Sequence, residues 1–101
     1  MKKKEFDSKD VELSKLANAL SHPVRVYILK KLNKINSCCT SGDMIEELPI
    51  ARSTLSQHLK ELKYAGLIQG EIELPKIRYC LNQENWEKAR ELFAEFFDLK
   101  K

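Results

Sequence analysis

Glycine and proline are scarce, three of each in 101 residues. That excludes a loop-rich or disordered chain, which draws on those residues and has few apolar ones. Long apolar runs are missing too: the longest, residues 26–29, has four residues, whereas a membrane span needs about 20. The first ten residues are lysines followed by acids, without the apolar stretch of a secretory signal. These absences predict a cytoplasmic protein with no membrane partner. Three cysteines are an odd number for such a chain, so a disulfide framework is disfavoured and reduced thiols, with a sensing role open to them, are expected. Enzymatic signatures are lacking: there is no glycine-rich phosphate loop, no His–Cys pattern and no carboxylate pair inside an apolar run. Neither charge dominates, since 18 Lys and Arg against 15 acids leave +3, which permits a polyanionic partner without demanding one.

What is present is 43% hydrophobic and 33% charged residues, enough apolar surface for one core but too short a chain for two. Residues 1–101 are therefore read as a single, mainly helical domain of the α+β kind. Leu13, Leu16, Ala17 and Leu20 fall at helical spacing from Val11 onward, and Ser21 can cap the next helix. Pro23 suits the first turn of that second helix, whose buried face is Val24, Ile28, Leu29 and Leu32, ending over residues 33–37. Residues 37–40 can be extended. Ser41 is the expected N-cap of a brief helix through Met44, Ile45 and Leu48 that Pro49 ends, about three residues before the next helix begins.

Leu55, Leu59 and Leu62 make the apolar stripe of a helix over residues 52–65, which Gly66 stops. Beyond it the period falls to two, giving a strand from Leu67, a tip near residues 74–76 and a second strand through Ile77, Tyr79 and Leu81. A last helix over residues 83–99 carries Trp86, Ala89, Leu92, Phe93, Phe96 and Phe97, an aromatic face wider than so small a chain can cover alone.

A short helix, a tight turn, a longer helix and a hairpin is the order of a winged helix-turn-helix, about five helices with a two-stranded wing. With its leucines inward, a 100° step per residue points Ser53, Gln57, Lys60 and Tyr64 of the longer helix outward, with Thr54 and Ser56 on the flanks and Arg52 at the start. Gln can pair with adenine, Ser and Thr with bases or phosphates, and Arg and Lys with phosphate, so the face suits DNA; the other reading is an ordinary solvated helix face. Lys76 and Arg78 are the wing's phosphate candidates, although Glu71 and Glu73 on the opposing strand weaken the local positive field. His58 is placed on the flank, for packing or a phosphate contact, and His22 and Arg25 for local hydrogen bonding or an ion pair.

Two segments resemble the ArsR-type bacterial repressors. Leu16-Ala17-Asn18-Ala19-Leu20-Ser21-His22-Pro23-Val24-Arg25-Val26-Tyr27-Ile28-Leu29 is similar to that family's opening signature. Ser53-Thr54-Leu55-Ser56-Gln57-His58-Leu59-Lys60-Glu61-Leu62, followed by Ala65-Gly66-Leu67-Ile68, is similar to its recognition helix and exit into the wing. The likeness runs over residues 12–82. It implies a homodimer on double-stranded operator DNA, released by an inducer, with first and last helices forming the interface; Leu13, Leu16, Leu20, Trp86, Phe93, Phe96 and Phe97 are the residues expected there. The family's thiolate metal motif falls on Thr40 and Gly42, and its Asp and His site on the last helix has no histidine to use, so no resident metal or other cofactor is expected.

Cys38 and Cys39 fall in the candidate extended segment and Cys80 in the second wing strand, which such segments commonly pair with. The three thiols are candidates for a soft-metal, arsenite or redox inducer site. Alternatively, one of the adjacent pair and Cys80 are buried small apolar residues. The sequence thus points to a sequence-specific DNA-binding regulator, with a winged-helix protein-interaction module as the alternative.

Overall fold

The computed structural model describes residues 5–35, 38–73 and 76–98, with backbone alone for 71–73 and 76. The chain order is α1 (Ser8–Ala19), α2 (Pro23–Ile35), β1 (Cys39–Thr40), α3 (Ser41–Ile45), α4 (Arg52–Tyr64), β2 (Ile68–Glu73), β3 (Lys76–Leu81) and α5 (Gln83–Phe97). This is the mainly helical winged helix-turn-helix that the sequence predicts, and the expected extended segment forms a short third strand beside the wing. The antiparallel sheet runs β1-β3-β2. The expected positions Ser37, Leu74, Pro75 and Leu99 lie outside the described residues. No helix among the described residues is long and apolar enough to cross a membrane.

Helix ends follow local chemistry. The Asp7 side chain accepts from the Lys9 N–H at 2.8 Å, so α1 starts three residues before the Val11 predicted from its apolar spacing. Thr40, not Ser41, caps α3, its hydroxyl accepting from the Asp43 N–H at 3.2 Å. α3 is shorter than expected, because the Glu47 and Leu48 N–H groups turn back to the Met44 and Ile45 carbonyls as tight turns. Pro49 forbids continuation, so six residues, 46–51, separate α3 from α4 instead of about three. Gly66 ends the α4 segment at φ 83°, and a Cβ there would meet the Asn85 side chain at 3.0 Å. That Asn85 amide donates to the Gly66 carbonyl at 2.8 Å, joining the exit of α4 to the start of α5.

One core holds these parts together. Ile28, Leu29 and Leu32 of α2 meet Met44 of α3, Leu55, Leu59 and Leu62 of α4, and Leu67, Ile68 and Leu81 at the base of the hairpin. Each leucine or isoleucine so buried contributes about 1.5–3 kcal/mol. Leu16 and Ala19 of α1 and Ala89 of α5 close one side.

Candidate nucleic-acid interface

α4 is fixed on its inner side and open on its outer one. Leu55, Leu59 and Leu62 are buried, as their spacing predicts, and so is His58, 8% exposed. His58 occupies the same 55-58-59-62 stripe, a periodic signal present in the sequence but overridden by its polarity. The structure places it on the packing side: its Nδ1 accepts from Arg25 Nε at 3.0 Å, and its ring stacks obliquely on His22 at 4.3 Å. Accepting at Nδ1 requires a neutral ring with the proton on Nε2. Burial, then the charges of His22 and Arg25, hold the His58 pKa below the ordinary imidazole value. Arg25 also donates to the Asn18 carbonyl at 3.1 Å, and His22 Nδ1 accepts from the Val24 N–H at 3.1 Å at the start of α2. Hydrogen bonding is thus what His22 and Arg25 do here, and it ties α1, α2 and α4 together.

A second tether orients the turn before α4. The Glu47 carboxylate accepts from Lys31 Nζ at 2.8 and 2.9 Å and from the Tyr27 hydroxyl. Lys31 first, and Tyr27 second, hold the Glu47 carboxyl below the usual carboxylate range. Thus α2 grips α4 through Arg25–His58 and grips the turn through Lys31 and Tyr27.

The outer side of α4 carries the predicted set: Arg52, Ser53, Thr54, Ser56, Gln57 and Lys60 are all exposed. Tyr64 is 76% exposed, and Lys15 Nζ of α1 lies 5.0 Å over its ring, which occupies that end of the face within the fold. The N-cap Ala51 makes no side-chain cap bond. The positive end of α4 therefore lies beside Arg52 without a side-chain cap from Ala51. Arg52 borders a polar groove with Thr40, Ser41, Asp43 and Ile77, where the helix-turn-helix meets the wing.

The wing is less basic than its cations suggest. Arg78 stands opposite Glu71 on β2 and Thr40 on β1, and Lys76 stands opposite Glu73. Arg78 itself is half-buried and partnered. The Lys76 side chain lies outside the described ones.

The cysteines separate into a pair and a single thiol. Cys38 and Cys80 form a disulfide with Cα atoms 4.3 Å apart, which corrects the expectation of three reduced thiols. The β1–β3 register, Cys39 opposite Tyr79, carries Cys38 opposite Cys80 one step further on. Cys39 points to the other face, buried and free, where burial pushes its thiol pKa up. No cluster of three or more His, Cys, Asp or Glu that could hold a metal occurs among the described residues, so the three thiols do not converge.

α1 and α5 pack side by side and leave apolar surface outside. Phe96 and Phe97 are 58% and 67% exposed, while Leu13, Leu20, Trp86 and Phe93 are half-buried. Leu16, Leu20, Leu67, Trp86, Ala89 and Phe93 line an apolar cleft between the two helices. Leu16 is 4% exposed and packs in this chain's own core.

Comparison with known proteins agrees with this geometry. Residues 22–69, from the start of α2 into β2, match the family described as bacterial regulatory protein, arsR family. The chain is 30% identical over 83 residues to the HTH-type transcriptional regulator CmtR of Mycobacterium tuberculosis, covering 82% of this chain and 69% of that one. Its backbone is similar to that of HlyU from Vibrio cholerae, with a TM-score of 0.73, 24% identity and coverage of 91% of this chain and 98% of the other. An ArsR-like regulator from Rhodococcus sp. RHA1 gives a TM-score of 0.75 at 23% identity, covering 89% and 83%. This chain therefore belongs to the arsR family of bacterial regulatory proteins, the winged helix-turn-helix DNA-binding regulators of transcription.

Proposed function

We propose that the chain is a cytoplasmic homodimeric repressor that lays α4 of each copy into successive major grooves of a two-fold operator and is released by an inducer. The observation that carries this reading is the outer face of α4, where hydroxyls, an amide and cations stand exposed above a fully buried leucine stripe. Gln57 is assigned to base edges, Ser53, Thr54 and Ser56 to bases or phosphates, and Arg52 and Lys60 to phosphates. Arg78 and Lys76 are the wing's phosphate contacts, with Glu71 and Glu73 at the opposite register positions weakening the local positive field.

All 101 residues act as one domain in this reading, with α1 and α5 as the dimerisation helices. Phe96, Phe97 and Phe93, with Leu13, Leu20 and Trp86, then face a second copy. A two-fold dimer puts half-sites about one helical turn, roughly 34 Å, or a multiple of it apart.

Fluorescence anisotropy on the chain's own upstream DNA and on a scrambled duplex, across a range of salt, tests the reading alongside sedimentation. A dimer that binds the upstream DNA alone, with a steep salt slope, is the expected result. A monomer that ignores both duplexes overturns it in favour of a protein-interaction module.

A further inference from the structure

At its β1 edge the wing is attached to the helix-turn-helix through very little backbone. β1 gives the sheet two residues, Cys39 opposite Tyr79 and Thr40 opposite Arg78, and Thr40 is also the cap of α3. One step along this ladder the Cys38–Cys80 bond closes a loop with a sequence separation of 42, enclosing α3, α4 and β2. It therefore clamps the entry to the helix-turn-helix onto the far strand of the wing.

Both bonded cysteines are half-buried, so small reagents reach them, whereas Cys39 is buried with its thiol pKa raised and stays inert. The core of α2, α4 and the hairpin base contains neither Cys38 nor Cys80. Opening it thus releases the wing's second attachment without dismantling the fold.

Resting on the reading that the chain works on DNA, in a compartment that keeps thiols reduced, we propose that Cys38 and Cys80 form a reversible dithiol–disulfide site for hydroperoxides whose closure clamps the wing and tightens DNA binding. One thiolate attacks the peroxide O–O bond, becomes a sulfenic acid and releases water or an alcohol. The second thiol then attacks the sulfenic sulfur, forming the S–S bond and releasing water. Two electrons and two protons pass from the pair to each peroxide, and a dithiol reductant reverses the reaction by becoming a disulfide itself. With the bond closed, wing and α4 meet DNA already ordered; with it open, the wing loses freedom on binding and the complex is weaker.

The test uses the full chain, reduced with dithiothreitol or oxidised with hydrogen peroxide and then freed of reagent. Alkylation in denaturant followed by intact mass should add three groups to the reduced chain and one, on Cys39, to the oxidised chain. Amide exchange over residues 38–40 and 76–81 should quicken about tenfold or more on reduction, while α4 is unchanged. On the upstream duplex the reduced form should bind about threefold or more weakly. Cys38→Ser and Cys80→Ser should each hold the affinity at the reduced level under both treatments, and Cys39→Ala should keep the switch.

Three alkyl groups after peroxide, or equal exchange in both forms, overturns the site whatever DNA does. Equal DNA affinities, or tighter binding by the reduced form, overturn the clamp. Chemistry and exchange as expected without DNA binding in either form refute the repressor reading and its affinity clause, and leave the dithiol site in place.

Discussion

α4 and α5 are helices of similar length, 13 and 15 residues, with opposite surfaces. α4 buries Leu55, His58, Leu59 and Leu62 and shows water hydroxyls, an amide and cations; α5 fully buries only Ala89 and shows water Phe96 and Phe97. α4 is finished as a folding element, so its outer face is free for a polar, charged partner. α5 is unfinished, because exposed aromatic surface beside an apolar cleft gains most when a second apolar surface covers it.

The largest expected effect lies at α5. Phe96→Ser with Phe97→Ser should weaken self-association about ten-thousandfold or more, since a two-fold interface loses each ring twice and each is worth about 1.5–3 kcal/mol on burial. Sedimentation reads this directly, and unchanged association would remove α5 from the interface. Leu62→Ala in α4 should act the other way, costing about 2–5 kcal/mol of chain stability in chemical denaturation, because it leaves a cavity in the core.

The outer face should respond without any loss of stability. Gln57→Ala should lower discrimination among operator variants by about 1–3 kcal/mol at one base position. Lys60→Ala should instead weaken upstream and scrambled DNA alike and reduce the salt slope by about 1. Equal loss on both duplexes from both substitutions would erase the distinction between the two roles.

The smallest expected effect belongs to His58. Its folded pKa lies below the ordinary value, so the fold prefers the neutral ring. The stability this contributes is complete above about pH 6.5 and falls as pH drops through the folded pKa, where a proton on Nδ1 would face Arg25. Thermal melts of the native chain and of His58→Asn across pH 5 to 8 should therefore diverge most at the alkaline end; parallel curves would show that His58 does not titrate in the fold.

Much of this was legible in the order of residues. The apolar stripes placed α2 and α4 to within a few residues, the change of period at Gly66 marked the wing, and the outward set on α4 followed from its leucines. Element ends were less legible wherever a neighbouring side chain decided them: Asp7 lengthened α1, and Thr40 took the cap expected of Ser41. His58 sat on the apolar stripe throughout, but only the arrival of Arg25, 33 residues away in sequence, shows how a buried imidazole is satisfied.

By itself the sequence determined the helices, the hairpin and the polar face of α4, because periodicity and capping act within a few residues of one another. Tertiary structure alone decided which groups met across long separations: Cys38 with Cys80 and not with Cys39, Arg25 with His58, Arg78 opposite Glu71, and Leu16 in the core. Each of those meetings depends on strand register or helix packing, which no local pattern specifies until the core has closed.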